Sequence, residues 1–195
     1  MINFNNISRK LMIGCVICLS LFLLVFAIMF KVLHVTHKHD NDSHLIIVNE
    51  QLSGFSLPTL ANLDVIVDQK VLQDKLNLIN IWSSNCRPCR QEHLILLKIA
   101  EYLKTKKINF IGLNYTDDPE RATAWLTIHG NPYNINLYDQ EGQLVADLGV
   151  GSLPELFIVD KHKKIKYKYS GMITMAIWEK NILPILEQLY EKPNK

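Results

Sequence analysis

Hydrophobic and polar positions divide this chain into unequal parts. From residue 11 to residue 30 it reads LMIGCVICLSLFLLVFAIMF, with 18 of 20 residues apolar and none charged. A helix of that length rises about 30 Å, the thickness of a bilayer core. The run exceeds the apolar region of a secretory signal peptide, and Met29-Phe30-Lys31-Val32-Leu33 holds no small-residue cleavage site. The pattern therefore predicts a transmembrane anchor over 11–30 behind a cytoplasmic N-terminus over 1–10. A polar linker over 31–50 and a folded domain over 51–195 follow, and the positive-inside rule places that domain outside the cytoplasm.

The rest of the chain alternates short apolar runs with helical periodicity. Residues 76–82 read as a buried strand, 83–85 as a loop, and the chain from Cys89 onward as a helix. Leu96, Ile99, Ala100 and Leu103 recur at the spacing of one helix face. Residues 108–114 form a second core strand. Asp118-Pro119-Glu120 is a helix start, with Asp as N-cap and Pro in the first turn, and predicts a helix over 119–129. Residues 135–138 alternate as a strand before a turn at 139–142, and 156–159 form a strand after Pro154. Ile165, Tyr167 and Tyr169 alternate with Lys164, Lys166 and Lys168, a hairpin strand with one buried face and one solvated lysine face. A final helix over 174–190 packs Ile177, Trp178, Ile182, Ile185 and Leu189, with Pro184 perturbing it.

Composition sharpens this division. The apolar fraction is 48% and the net charge +2, which excludes a disordered chain. The first 39 residues carry Arg9, Lys10, Lys31 and Lys38 and no acid, leaving 17 basic against 19 acidic residues beyond them. Overall basicity thus provides no case for nucleic-acid binding, and the lysine-rich 161–169 run is explained by its alternation. The linker holds His34, His37, His39 and His44, which suit either a metal site or, more simply, a solvated spacer.

Four cysteines form two C-x-x-C pairs of unequal meaning. Cys15 and Cys18 lie inside the apolar run, where a thiol is a small inert hydrophobe. Cys86-Arg87-Pro88-Cys89 lies at a strand–loop–helix junction. There the first sulfur meets free N–H groups and the positive end of a helix dipole, with Arg87 and Arg90 adding charge. Such a site stabilises a thiolate, the species that attacks disulfides. A Cys₄ zinc site lacks its other two ligands, and haem attachment would need His where Arg90 stands.

At this point the residues resemble a known family. The segment 80–93, NIWSSNCRPCRQEH, resembles the active-site segment NVWASWCPTCRAEH of the DsbE or CcmG proteins, membrane-anchored thioredoxin-like proteins of cytochrome c maturation. The segment 112–118 resembles the family's G-V-N-Y-K-D. Ala124-Trp125-Leu126 with Gly130-Asn131-Pro132-Tyr133 resembles its A-W-L…G-N-P-Y, and 149–160 resembles GVYGAPETFLID. Asn85 stands where the family has Trp, Leu153 where Ala is common and Leu156 where Thr follows Pro-Glu. These departures lie on the surface that should meet partners.

The resemblance implies an α/β thioredoxin-like fold, a central mixed sheet flanked by helices with an insertion in the middle region, behind a single transmembrane helix. It implies a cis Pro154 facing the cysteines and a redox-active disulfide Cys86–Cys89 with no other cofactor and no metal. Cys86 would attack a partner disulfide and Cys89 would resolve the mixed disulfide. Glu92, three residues after Cys89, is the candidate acid that replaces the buried Asp many thioredoxins have at the position of Asn80; the plainer reading is a solvated first-turn carboxylate. Glu155 is the second candidate. The implied substrate is the CxxCH disulfide of apocytochrome c or a protein of the haem-ligation complex. A membrane electron carrier would return the electrons, and the site would lie in the periplasm at the bacterial inner membrane. Two other readings stay open: a general extracytoplasmic disulfide reductase or oxidase, and a thioredoxin-fold copper chaperone using both thiolates with His93, His129 or His162.

Overall fold

The computed structural model describes residues 14, 16–31 and 45–191. The chain divides into two units, Met1–Asp42 and Ser43–Lys195. In the first, residues 16–31 are helical and side chains such as Phe22, Leu24 and Phe26 are exposed. Among the described residues no helix is long and apolar enough to cross a membrane. Residues 11–13 and Cys15 of the expected anchor lie outside the described residues, as do residues 1–10 and the linker histidines His34, His37, His39 and His44.

The second unit is built on one eight-stranded sheet. At its centre β4 (Asn77–Trp82) is buried at every position, as its apolar run predicts. It pairs in parallel with β5 (Asn109–Tyr115), which pairs in parallel with β6 (Ile135–Asp139). On its other side β4 pairs antiparallel with β7 (Glu155–Val159), which pairs antiparallel with β8 (Lys164–Ser170). Strand β1 (Leu45–Gln51) closes one edge against β8, and β2 (Ser56–Thr59) with β3 (Asn62–Asp68) closes the other beside β6. The linker expected to reach residue 50 is therefore shorter, because Leu45 already pairs with Tyr169.

Alternation along β4 sends successive side chains to opposite faces. Leu78 and Trp82 join one core cluster, Ile79 and Ile81 the other. Helix α1 (Arg87–Thr105) covers the first face, burying Cys89, Glu92, His93, Leu96, Ile99 and Leu103 on one stripe. Helix α2 (Pro119–His129) begins as predicted, its N-cap Asp118 accepting the Arg121 N–H at 2.8 Å. The predicted turn after β6 continues into α3 (Gln143–Asp147), because Asp139 accepts the N–H groups of Gln143 and Val145. Leu144 and Val145 cover the second face of the sheet.

The final helix, α4, starts at Met175 behind the N-cap Thr174 and ends at Glu191. Pro184 lacks the N–H that would continue the regular ladder, and the preceding turn Trp178–Ile182 widens to a π-turn. The solvated lysine face expected on β8 is corrected. Lys166 and Lys168 are partly buried, and the Lys168 side chain is only 15% exposed.

Candidate active site

Strand β4 delivers the chain to loop residues 83–85, and one carboxylate holds that loop. Asp117 accepts the backbone N–H of Ser84, the Ser84 hydroxyl at 2.7 Å, the Asn114 amide at 3.0 Å and the Asp118 N–H at 2.9 Å. Asn85, the residue before the cysteine pair, is exposed and accepts from Arg121 Nη1 at 2.9 Å. In the sequence Asp117 stands out only as part of the 112–118 match, and its signal is an acid two residues past the end of a core strand.

Cys86 is the N-cap of α1 and is disulfide-bonded to Cys89. Its Sγ accepts the Cys89 N–H at 3.1 Å, so one helix N–H does face this sulfur. Cys86 is partly exposed and Cys89 is buried. A partner can thus reach the first sulfur more easily than the second. Arg87 and Arg90 are exposed beside it, and Arg90 lies 5.7 Å from the Trp125 ring centroid.

The Leu153–Pro154 peptide is cis and Pro154 is buried. Leu153 packs against the cluster that contains Cys89 and that Cys86 also touches. The Pro154 carbonyl accepts the Gly171 N–H at 3.0 Å.

Glu92 is fully buried, in the second turn of α1, which overturns the solvated first-turn reading. Its Oε1 accepts from Asn80 Nδ2 at 3.3 Å and its Oε2 accepts the Ile173 N–H at 2.8 Å. Burial pushes its pKa up to about 7, against the opposing pull of those two hydrogen bonds. Asn80 is held in turn by the Tyr133 hydroxyl, which donates to its Oδ1 at 2.6 Å. Burial raises the Tyr133 pKa well above the ordinary value, keeping that phenol a donor. Tyr133 stacks on Trp82, and a Cβ at Gly112 would strike Tyr133 and the Asn136 amide, so only glycine fits there.

Glu155, the second candidate acid, is also buried. Its Oε1 accepts from Gly151 N–H at 3.2 Å and Ser170 Oγ at 3.1 Å, and its Oε2 pairs with Lys168 Nζ at 2.9 Å. Both oxygens are thus committed to the loop before β7 and to β8.

The described histidines have partners of their own. His93 is buried, donates from Nε2 to the Gly130 carbonyl at 3.0 Å and packs edge-on against Trp125 and His129. Desolvation holds its pKa below the ordinary value. His162 lies in the turn between β7 and β8. Among the described residues no group of three or more His, Cys, Asp or Glu side chains could hold a metal, so the copper-chaperone reading finds no ligand set there.

Known proteins match this arrangement. Residues 47–180 match the Redoxin family. The chain is 38% identical over 143 residues to the thiol:disulfide interchange protein DsbE of Yersinia pestis, covering 73% of this chain and 74% of that one. It is 33% identical over 184 residues to the Escherichia coli K12 protein of the same name, covering 93% and 96%. A secreted thiol-disulfide isomerase of Corynebacterium glutamicum superposes with a TM-score of 0.64 at 22% identity, over 75% of this chain and 94% of that one. That likeness shows a shared fold, the thioredoxin-like mixed sheet flanked by helices.

Proposed function

The chain belongs to the DsbE family of thiol:disulfide interchange proteins, with a Redoxin domain, and from that premise we propose that it is a membrane-anchored, extracytoplasmic reductant of cytochrome c biogenesis. Thiol–disulfide oxidoreduction with protein partners is the family's activity. We further propose its direction, from this protein to the partner, and its substrate, the CxxCH disulfide of apocytochrome c or a haem-ligation protein.

The exchange runs through the sulfurs alone. In the reduced protein the Cys86 thiolate attacks one partner sulfur, forming a mixed disulfide and releasing the other partner sulfur as a thiolate. Cys89, losing its proton, attacks Cys86, re-forms the Cys86–Cys89 bond and frees the partner as a dithiol. Two electrons pass from the protein to the partner. No cofactor beyond the cysteine pair is needed, and a membrane electron carrier is proposed to return the electrons.

One observation carries the reductant direction: the buried Glu92 carboxyl, one helical turn beyond Cys89 on the same face. With a pKa of about 7 it is matched to accept the Cys89 proton near neutral pH. Its negative charge also disfavours a thiolate beside it, which favours the disulfide form and makes the dithiol a stronger reductant. Pro154 is proposed to line the partner's approach and Glu155 to hold the loop before it.

The anchor over 11–30 rests on its long, uncharged and largely apolar run and on the exposed apolar side chains within residues 16–30. The E. coli relative aligns over 93% of the chain, a match that reaches into this run. With the anchor in the inner membrane, the domain is proposed to face the periplasm. Haem attachment there needs free thiols in an oxidising compartment, which gives a dedicated reductant its task.

Rates of reduction of an oxidised CxxCH peptide and of insulin test the proposal. A clear preference for the peptide supports the dedicated role. Equal rates would favour a general disulfide reductase.

A further inference from the structure

The segment before β7 reads Gly149-Val150-Gly151-Ser152-Leu153-Pro154, and its two glycines leave it intrinsically loose. Gly149, with φ +61°, Gly151 and Ser152 are exposed. One side chain ties this segment at both ends. Lys168 Nζ donates to the Gly149 carbonyl at 2.6 Å and pairs with Glu155 Oε2 at 2.9 Å. The other oxygen of Glu155 takes the Gly151 N–H at 3.2 Å and the Ser170 hydroxyl at 3.1 Å. The ammonium also lies 5.5 Å from the Phe157 ring centroid, the ring opposite it in the β7–β8 ladder.

This is no surface lysine. The two side chains of the pair are 15% and 2% exposed. An exposed ion pair contributes little, but removing one partner of a buried pair strands the other charge. Beyond the pair itself, Glu155 Oε2 has no hydrogen-bond partner among the described residues, so Lys168 is what compensates it. The loop so fixed carries Leu153, which packs on the cluster containing Cys89, and ends at Pro154.

We propose that Lys168 is a positioning residue for the partner protein: by clamping Gly149 to Glu155 it sets the shape of the loop on which a protein disulfide seats beside Cys86. The proposal rests on the exchange activity above. Lys168 takes no part in the exchange between sulfurs and acts on the seating of large substrates only.

The full chain is compared with K168M, K168R, E155Q and the double variant K168M/E155Q, by two readouts. The first is amide hydrogen exchange at Gly151, which should quicken about ten-fold or more in K168M and stay near wild type in K168R. The second is the rate with an oxidised CxxCH peptide and with oxidised glutathione. K168M should raise KM for the peptide about ten-fold and leave the glutathione rate within about two-fold, with K168R restoring most of the loss. In the E155Q background K168M should add little, because the two residues act as one unit. Unchanged Gly151 exchange in K168M overturns the proposal. So do equal losses on both disulfides, or fully additive effects of the two substitutions. A wild-type chain inert toward both disulfides would refute the exchange reading itself, while the Gly151 amide would still decide whether Lys168 closes the loop.

Discussion

Glu92 accepts a hydrogen bond from Asn80 inside the core, 3.3 Å from Oε1 to Nδ2, and so a helix carboxyl stands where the neighbouring strand offers only an amide. The strand position is neutral, and the acid is supplied by the helix that carries the cysteines. Asn80 cannot titrate, so it orients the carboxyl while Glu92 alone gains or loses a proton.

Replacing Glu92 with Gln keeps the shape and removes the charge. The Cys89 thiol pKa should fall in E92Q, and the Cys86–Cys89 potential should become more oxidising by about 10–30 mV, where 30 mV corresponds to about 1.4 kcal/mol. Thiol titration of the reduced protein and equilibration with glutathione check both. Identical pKa values and potentials would remove Glu92 from the mechanism.

The same carboxyl sets a pH dependence of stability. Its pKa is near 4.5 when unfolded and about 7 when folded, so between these values the folded state holds a proton that the unfolded state has lost. Stability therefore falls as pH rises from about 4.5 through 7, by about 3 kcal/mol in all for this group. Urea unfolding at pH 5 and pH 8 should show the loss in wild type, and E92Q should flatten it. A wild type as stable at pH 8 as at pH 5, with E92Q unchanged, would contradict the buried, protonated state.

Tyr133 is the far end of this chain of hydrogen bonds. Y133F keeps the ring against Trp82 and Phe110 but leaves Asn80 Oδ1 without its donor. A buried acceptor left unpaired costs about 1–3 kcal/mol, to be read as a shift in the urea midpoint at constant slope. The Asn80 amide is then less firmly held, and a small shift of the Glu92 pKa should accompany the loss. No change in midpoint would mean that water replaces the phenol.

Asp117 holds the loop that presents Cys86. In D117A the Ser84 N–H, the Ser84 hydroxyl and the Asn114 amide lose their shared acceptor. The chain should lose about 2–4 kcal/mol, and amide exchange should quicken at Ser84 and Asn85 before it does in β4. Uniform quickening across the sheet would show a global rather than a local role.

Much of this arrangement was readable from residue order, and the failures have causes. The runs that became β4 and β5 are buried on both faces, so apolar side chains stand on either face of each strand, Leu78, Ile79, Ile81 and Trp82 in one and Phe110, Ile111 and Leu113 in the other. Asp118-Pro119 announces α2 because cap chemistry is local. The solvated reading of Glu92 fails because the helix stripe is extended from its far end only: positions 89, 92, 96, 99 and 103 share one face, and that face runs back through the acid. Strands β1 and β3 escaped notice because edge strands bury little; Ile46, Ile47, Val65 and Ile66 are exposed, and no alternation marks them. Helix α3 has only five residues, too few for a helical period. Lys168 was misread because its partner Glu155 lies across the β7–β8 ladder, and no local pattern tells a lysine facing water from one facing a buried carboxylate.

The cysteine pair is proposed to donate electrons to its partner. That direction is read from the reduction potential of the Cys86–Cys89 couple, measured by equilibration with glutathione or a dithiol buffer. The expected value is more reducing than about −200 mV, on the thioredoxin side of the scale and far from the roughly −120 mV of a strong oxidant such as DsbA. A value close to that oxidant's would contradict it.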